Sequence, residues 1–268
     1  MPTFRCAKTC VLVALASIGR AIAQETTQVC SMDQPAGRVE CQTDNLNLVF
    51  TGRQNVPKFT VQNVNSSEVY GVRFQTMYQS TTQGKSGRIG PTTVALPFLT
   101  WQFSDVVQDS EGNVEFNFTS TGAHGPIDEP NLQFRMHIEN NSTSMKFDTL
   151  ISGVNWRSNA NYFVVCYRLE QQGGGALNAS IQGNTISFGE SAFINVNDRA
   201  VTSEGVVSAM LVLDSGNSPC MVYERFEGSL EHDPEVRVGS GHNGGAWIRP
   251  AASALLAMAT AYAFLAFV

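Results

Sequence analysis

Few residues in this chain have the types and spacing that chemistry requires. His124 stands in Gly122-Ala123-His124-Gly125-Pro126 with Asp128 and Glu129 close behind. A loop imidazole beside carboxylates suits a metal ligand or a general base, and a solvated loop explains the same residues. His232, in Glu231-His232-Asp233-Pro234, reads as part of a stalk, His137 falls on the polar face of a strand, and His242 falls in a spacer. Gly189-Glu190-Ser191-Ala192-Phe193 lacks both the second glycine and the strand-to-helix setting of a nucleophile elbow. The expectation is a protein without catalytic residues. A surface hydrolase whose paired carboxylates come from distant strands is the alternative.

Two oxygen-rich turns suit calcium, a hard cation that takes oxygen ligands. One contains Asp105, Asp109 and Glu111, the other Asn195, Asn197 and Asp198. Neither completes a twelve-residue calcium loop, and hairpin turns use the same residue types. No cofactor is therefore expected, with calcium as the one alternative. Trp156 lies between Asn155 and Arg157, with Tyr162 nearby. Exposed, such aromatics stack on a sugar ring and make a lectin-like module; buried, they pack in the core, as is expected for Trp101 beside Phe103.

The cysteines imply an oxidising compartment. Cys6 and Cys10 fall in the first 23 residues, which leaves Cys30, Cys41, Cys166 and Cys220. Four cysteines allow three pairings, and Cys30–Cys41 with Cys166–Cys220 is favoured: a short N-terminal staple and a tie between two predicted strands. No Cys-x-x-Cys or closely spaced histidine pair suggests zinc. Asn-x-Ser/Thr glycosylation sequons begin at Asn65, Asn117, Asn140, Asn141 and Asn178, the third and fourth overlapping.

The elements that must position these residues are strands. Leu132, Phe134, Met136 and Ile138 alternate with polar residues, which gives a strand one apolar face. Leu46, Leu48 and Phe50 repeat the pattern, as do Val114, Phe116 and Phe118, then Val72, Phe74 and Thr76, and Ile186 with Phe188. Turn-forming clusters separate them, at residues 109–113, 139–142, 173–175 and 214–217. The apolar run around Val206 to Leu213 reads as a central strand, with a short helix as the alternative, and residues 79–91 read as a mobile surface loop. The predicted fold is all-β: a disulfide-bonded antiparallel β-sandwich, jelly-roll or Ig-like. Without a helical period there is no βαβ unit to hold a nucleotide.

The two ends of the sequence carry the address. Arg5 and Lys8, the apolar stretch 10–18 and Ala21-Ile22-Ala23 make residues 1–23 a secretory signal peptide. Residues 251–268 are uncharged and almost wholly apolar, and they follow small residues at 239–241 and a polar spacer, the order of a GPI-attachment signal. Gly239 is the expected attachment residue, with Ser240 and Asn243 as alternatives; a single C-terminal transmembrane helix is the competing reading. The expected organisation is residues 24–235 as an extracellular domain, 236–250 as a stalk and 251–268 as a removable signal. Loss of Arg5, Lys8, Arg20 and Arg249 leaves 13 basic against 23 acidic side chains and a net charge of −10. Such a surface opposes nucleic acid. The expected partners are the membrane through a lipid anchor and an extracellular protein or glycan, in adhesion or ligand recognition.

Overall fold

The computed structural model describes residues 29–52, 57–121, 130–214 and 216–239. They form twenty antiparallel strands and three single-turn 3-10 segments. The first sheet begins as a meander, Cys30–Asp33, Arg38–Gln42, Leu46–Thr51, Lys58–Asn63 and Val69–Ser80, and continues sideways through Tyr162–Gln171 and Pro219–Glu224 to residues 209–213. The second sheet builds on Val114–Thr121, Asn131–Ile138 and Ser144–Ser152. The far side of Ser144–Ser152 takes Ser229–His232 and Glu235–Val238, which lead on to Arg199–Thr202 and Ala192–Asn195 respectively. Among the described residues no helix is long and apolar enough to cross a membrane.

Alternation decides what lies between the layers. Leu132, Phe134, Met136 and Ile138 are all buried, as expected, and so are Leu46, Leu48 and Phe50 opposite them and Val114, Phe116 and Phe118. Rings from the two sheets meet across the gap. Phe74 stacks on Phe134 at 4.1 Å, Phe50 meets Phe116 edge-on at 4.9 Å, and Phe59 meets Phe147 at 5.4 Å. Each such pair adds about 0.5–1.5 kcal/mol beyond the area it buries. Trp101 is a core residue, as expected, and its indole N–H donates to the carbonyl of Leu96 at 3.1 Å. Gly52 passes so close under these rings that a Cβ there would lie 2.7 Å from Phe118.

Both disulfides form as expected, and both join residues directly opposite on neighbouring strands: Cys30 with Cys41, and Cys166 with Cys220, each at a Cα separation of 4.0 Å. Their side chains therefore point to the same face of the sheet, which is the geometric condition for bridging.

Three readings change. Val72 and Phe74 face the core, but Gln75 is an extra residue that falls between the pairs Phe74–Tyr167 and Thr76–Cys166, so the alternation shifts by one and Thr76 faces outward. Gly205–Leu213 is a strand, though not a central one. Residues 205–208 pair in the second sheet and 209–213 in the first, and only Ala209 is buried. The stalk does not begin at residue 236, because Glu235–Val238 pairs on both sides with Val236 and Val238 buried.

His232 is likewise inside the domain rather than in a stalk, at 1% exposure. Its Nε2 lies 2.8 Å from the carbonyl oxygen of Asn197, and its Nδ1 lies 3.1 Å from the hydroxyl of Tyr223 in the other sheet. A carbonyl only accepts, so Nε2 carries the proton, Nδ1 accepts and Tyr223 donates. Burial holds His232 below the usual imidazole range, partly offset by the Asn197 carbonyl and by the charges of Asp233 and Asp148.

Two stability measurements follow. In the loop-entropy account, closing loops of 11 and 54 residues contributes about 3 and about 4 kcal/mol. Urea unfolding of the Cys166→Ala/Cys220→Ala variant is therefore expected to show the larger loss, and the Cys30→Ala/Cys41→Ala variant the smaller. For His232, the unfolded imidazole takes up its proton near its ordinary value of about 6.5 while the folded one resists. The stability it contributes is thus full above that pH and falls as the pH drops below it towards the lower folded value. Wild type is expected to lose more stability than His232→Gln when urea midpoints are compared at about pH 7.5 and about pH 5.5.

Candidate functional site

In the two turns expected for calcium, the side-chain oxygens of Asp109, Asn195 and Asn197 accept local hydrogen bonds. Asp109 accepts from the backbone N–H groups of Glu111 and Asn113 at 2.8 and 2.9 Å and from the Asn113 side-chain amide at 2.9 Å. The Asn113 amide chiefly, with those backbone donors, holds its carboxyl below the usual carboxylate range. Asp105 contributes its carbonyl oxygen to Ser104. In the second turn, Asn195 accepts from Thr185, Asn197 from the backbone of Arg199, and the Asp198 carbonyl from Ala209. Among the described residues no three His, Cys, Asp or Glu side chains gather as a metal-binding group.

Trp156 and Tyr162 do not form one platform. Tyr162 and Phe163 are adjacent on a strand and point to opposite faces, and Trp156 follows Phe163. Its ring meets Phe163 and Phe226 edge-on, its N–H donates to the Phe226 carbonyl at 2.7 Å, and the Arg225 guanidinium stands 5.3 Å from its centre. Tyr162 faces outward and receives a hydrogen bond from Gln83.

Ser191 sits in a β-hairpin turn, 3.3 Å from the Tyr70 hydroxyl and 3.4 Å from Glu68, with no imidazole in this group. Glu170 is buried among Lys58, Arg73 and Arg168, each 3.5 Å away. On the outer face of the other sheet, Asp148 lies between Arg135 at 3.2 Å and His137 at 3.0 Å, and Arg135 also reaches Glu231. These are surface ion-pair networks.

Asn65, Asn141 and Asn178 are exposed in turns or loops. Asn140 is half-buried against Gly112, and Asn117 is half-buried in a strand with its side-chain oxygen accepting from Gln133. Gly239 ends the last strand, its N–H donating to the Ser191 carbonyl at 3.0 Å. Residues 1–23, His124, Asp128, Glu129, Ser240, His242, Asn243 and the segment 251–268 lie outside the described residues.

A site that the sequence reading missed is set up by the shift at Gln75. Beyond it, two rows of side chains cross the outer face of the first sheet. One runs Tyr78, Val164, Val222, Met210, and the other Thr76, Cys166, Cys220, Val212. Tyr78, Val164, Val222 and the disulfide form a second apolar cluster, separate from the main core. Residues 81–88 fold over it and are not a free loop. Thr81 N–H donates to the Gly87 carbonyl and Ile89 N–H to the Gln79 carbonyl, both at 2.9 Å, and the Ser80 hydroxyl donates to the Gly84 carbonyl at 2.8 Å. Arg88 stands 5.2 Å from the centre of the Tyr78 ring.

Between this segment and the end of Gly205–Leu213 lies a cleft of about 440 Å3, lined by Tyr78, Gln83, Lys85, Ser86, Val212 and Asp214 among others. The Lys85 ammonium and the Asp214 carboxylate are 3.5 Å apart. Tyr78 is 2% exposed, and its hydroxyl, itself closed to solvent, finds no hydrogen-bond partner among the described residues. Leaving a buried hydroxyl unsatisfied costs about 1–3 kcal/mol. Burial first, then the charge of Asp214, raises its proton affinity above that of an ordinary phenol, against a smaller opposing effect of Arg88, so it stays a neutral donor. A shallower trough of about 700 Å3 runs along residues 206–211, beside Asn184, Asp198 and Arg199. It lacks a comparable orphan group among the described side chains. No protein-family model matches this sequence, and no curated protein matches it.

The Trp156 geometry is that of a packing residue. Trp156→Ala is expected to lower stability by about 2 kcal/mol, less than a fully buried tryptophan because the ring is half-exposed. Urea unfolding checks this, and Trp156→Phe is expected to recover about half of the loss by restoring the edge contacts.

Proposed function

We propose that the protein is a GPI-anchored cell-surface glycoprotein that catalyses no reaction and recognises an extracellular protein or glycan. The observation that carries this reading is the pair of disulfides, one in the main core and one on the outer face of the same sheet. Bonds of this kind persist in oxidising compartments and are rare where thiols are kept reduced. Three of the sequon asparagines stand in exposed turns or loops, where glycosylation needs them.

The closing strand supports the anchoring half of the reading. Glu235–Val238 is hydrogen-bonded between two neighbours and leaves the sheet at Gly239, directly ahead of the small-residue segment. With the lipid on Gly239, the domain would sit against the membrane with almost no stalk; with the lipid on Asn243, four further residues would separate them. The recognition half rests on the cleft beside Tyr78, where Gln83, Lys85 and Ser86 of the segment folded over the sheet converge with Asp214 at a strand end, the form that small-ligand sites take.

Treating cells that express the full chain with phosphatidylinositol-specific phospholipase C is expected to release the protein into the medium. Labelled ethanolamine fed to the same cells is expected to enter it. A protein that stays with the cells and takes up no ethanolamine overturns the anchor. Digestion with an N-glycosidase is expected to lower its mass, and Asn178→Gln is expected to reduce that shift by one glycan.

A further inference from the structure

We propose that the outer face of the first sheet binds a compact oxyanion, one carboxylate or sulfate group of an extracellular ligand, at Lys58, Arg73 and Arg168. The site lies on the far side of the Gln75 shift from Tyr78 and shares no residue with that cleft. Lys58 stands opposite Arg73, and Arg73 opposite Arg168, so the three cations form one row across three neighbouring strands. Neighbouring strands are about 4.8 Å apart, which makes the row about 10 Å long. No run of basic residues marks it in the sequence, because register alone brings positions 58, 73 and 168 together.

Alternation turns all three outward, since Phe59, Val72, Phe74, Tyr167 and Leu169 beside them in sequence are core residues. Like charges directly opposite on adjacent strands repel, so the row costs stability. One carboxylate offsets part of that cost. Glu170 stands in the next row, opposite Gly71, and its oxygens lie 3.5 Å from Lys58, Arg73 and Arg168 alike. A single negative charge cannot neutralise this group, because Lys58 and Arg168 alone outnumber it. The signs are also sorted by depth. The Glu170 side chain is 4% exposed, whereas those of Lys58 and Arg73 are 28% exposed and that of Arg168 is 38% exposed. Solvent therefore meets a positive surface over a hidden carboxylate. The next carboxylate along the Glu170 row, Glu40, is paired with Arg38.

Guanidinium and ammonium donors match the oxygens of carboxylate and sulfate, and the planar arginine fork can take two of them at once. None of the three contacts with Glu170 reaches the about 2.7–2.9 Å of a charge-assisted hydrogen bond, so a second oxyanion can approach the cations more closely than the first. The rest of the surface sets the size of the ligand. The chain as a whole is acidic, with 23 Asp and Glu against 17 Lys and Arg. Screening confines the attraction of the row to about 8 Å at physiological salt. A ligand with one charged group feels the row alone, whereas a long polyanion would also lie over the acidic remainder and be repelled. Three cations in register are no requirement of a sheet, and a broken local rule of this kind is expected where a surface has a function.

The test uses the full-length protein in a non-ionic detergent, stripped of its own N-glycans. The probes are sodium sulfate, the methyl glycoside of N-acetylneuraminic acid and N-acetylaspartate amide, with methyl β-galactopyranoside as the neutral control, all titrated by isothermal calorimetry. Sulfate is expected to bind with a millimolar Kd that weakens as sodium chloride rises from about 0.02 M to about 0.2 M, and the neutral sugar not to bind. Lys58→Gln and Arg168→Gln are each expected to weaken sulfate at least about fivefold, while Arg38→Gln, whose partner is Glu40, changes it less than about twofold. Glu170→Gln is expected to tighten sulfate, because it removes the competing carboxylate, and sulfate is expected to raise the Tm of that variant more than that of wild type. A network that only held the fold would lose stability in Glu170→Gln and regain none of it with sulfate. The sialoside and the aspartate derivative present a carboxylate on a sugar and on a peptide unit, and the tighter of the two names the source of the ligand. Absence of sulfate binding overturns the proposal. So does binding that Lys58→Gln and Arg168→Gln leave intact, or binding that Glu170→Gln weakens. Each of those results leaves the anchoring reading standing, because phospholipase release reports on it separately.

Discussion

Period-two alternation is the constraint on which this molecule depends, and one inserted residue sets its phase. Along Val69–Ser80, Val72 and Phe74 supply the inner face, and without Gln75 the next inward positions would be residues 76 and 78. With the bulge they are Met77 and Gln79, and Thr76 and Tyr78 turn outward instead. The neighbouring strand keeps its alternation unbroken, so Cys166 and Val164 meet Thr76 and Tyr78 on the outer face. That face acquires an apolar cluster that an unbulged strand would not build. The bulge thus splits the strand into a first half that serves the main core and a second half that serves the surface, a use for which bulges are well suited because they re-aim side chains without ending the pairing.

The main core, by contrast, is held by packing in which rings meet both within each sheet and across the gap between layers. Stacked and edge-on phenylalanines fill most of it, and these interactions carry no direction strong enough to fix how one sheet lies over the other. The bond from Tyr223 to His232 is directional. It fixes the imidazole tautomer through Asn197 and ties a strand of each sheet at one point. Beside it, the Tyr167 hydroxyl donates to the sulfur of Met221, a weak acceptor, and the Tyr223 oxygen lies 3.4 Å from the same sulfur while its proton goes to His232. A polar group in such a core is stabilising only while its partner is present, so this cluster makes the relative position of the sheets specific at the cost of pH sensitivity.

How much of this was legible from residues depends on whether a single periodicity ran through the segment. Asn131–Ile138 is a strand with one apolar side and could be read directly; so could the cysteine pairing, since each favoured pair falls on adjacent strands. The Gln75 shift was not legible, because Val72, Phe74 and Thr76 satisfy an even period and Met77 and Tyr78 continue the apolar run on either phase. His232 was misread for a different reason. The charged, proline-containing Glu231-His232-Asp233-Pro234 has the composition of a stalk, yet Leu230 and His232, then Val236 and Val238, alternate as inward positions. A neutral, fully bonded histidine behaves as a core residue, and composition cannot show that state. The cleft was hidden because its residues come from four separated segments, at Tyr78, 83–86, 212–214 and Cys220, that only the sheet order brings together.

The Gly205–Leu213 strand poses a problem that its own pairing resolves in part. It contains no charged side chain, and Val206 and Leu213 are exposed, as is Val201 on its hairpin partner. A flat, uncharged edge of this length invites pairing with another chain, and natural edges usually carry lysine, proline or a bulge to prevent it. Here the strand gives residues 205–208 to one sheet and 209–213 to the other, so it must pass from one layer to the next. A strand that changes layers cannot stay flat, and neither sheet offers a long straight edge. The turn after Leu213 adds a second protection. Asn217 contacts the side chain of Asn178, so a glycan on Asn178 would stand beside the exposed end of the strand. Only the far end of this edge, Val212 and Leu213, walls the cleft beside Tyr78; Val206 faces the trough along residues 206–211.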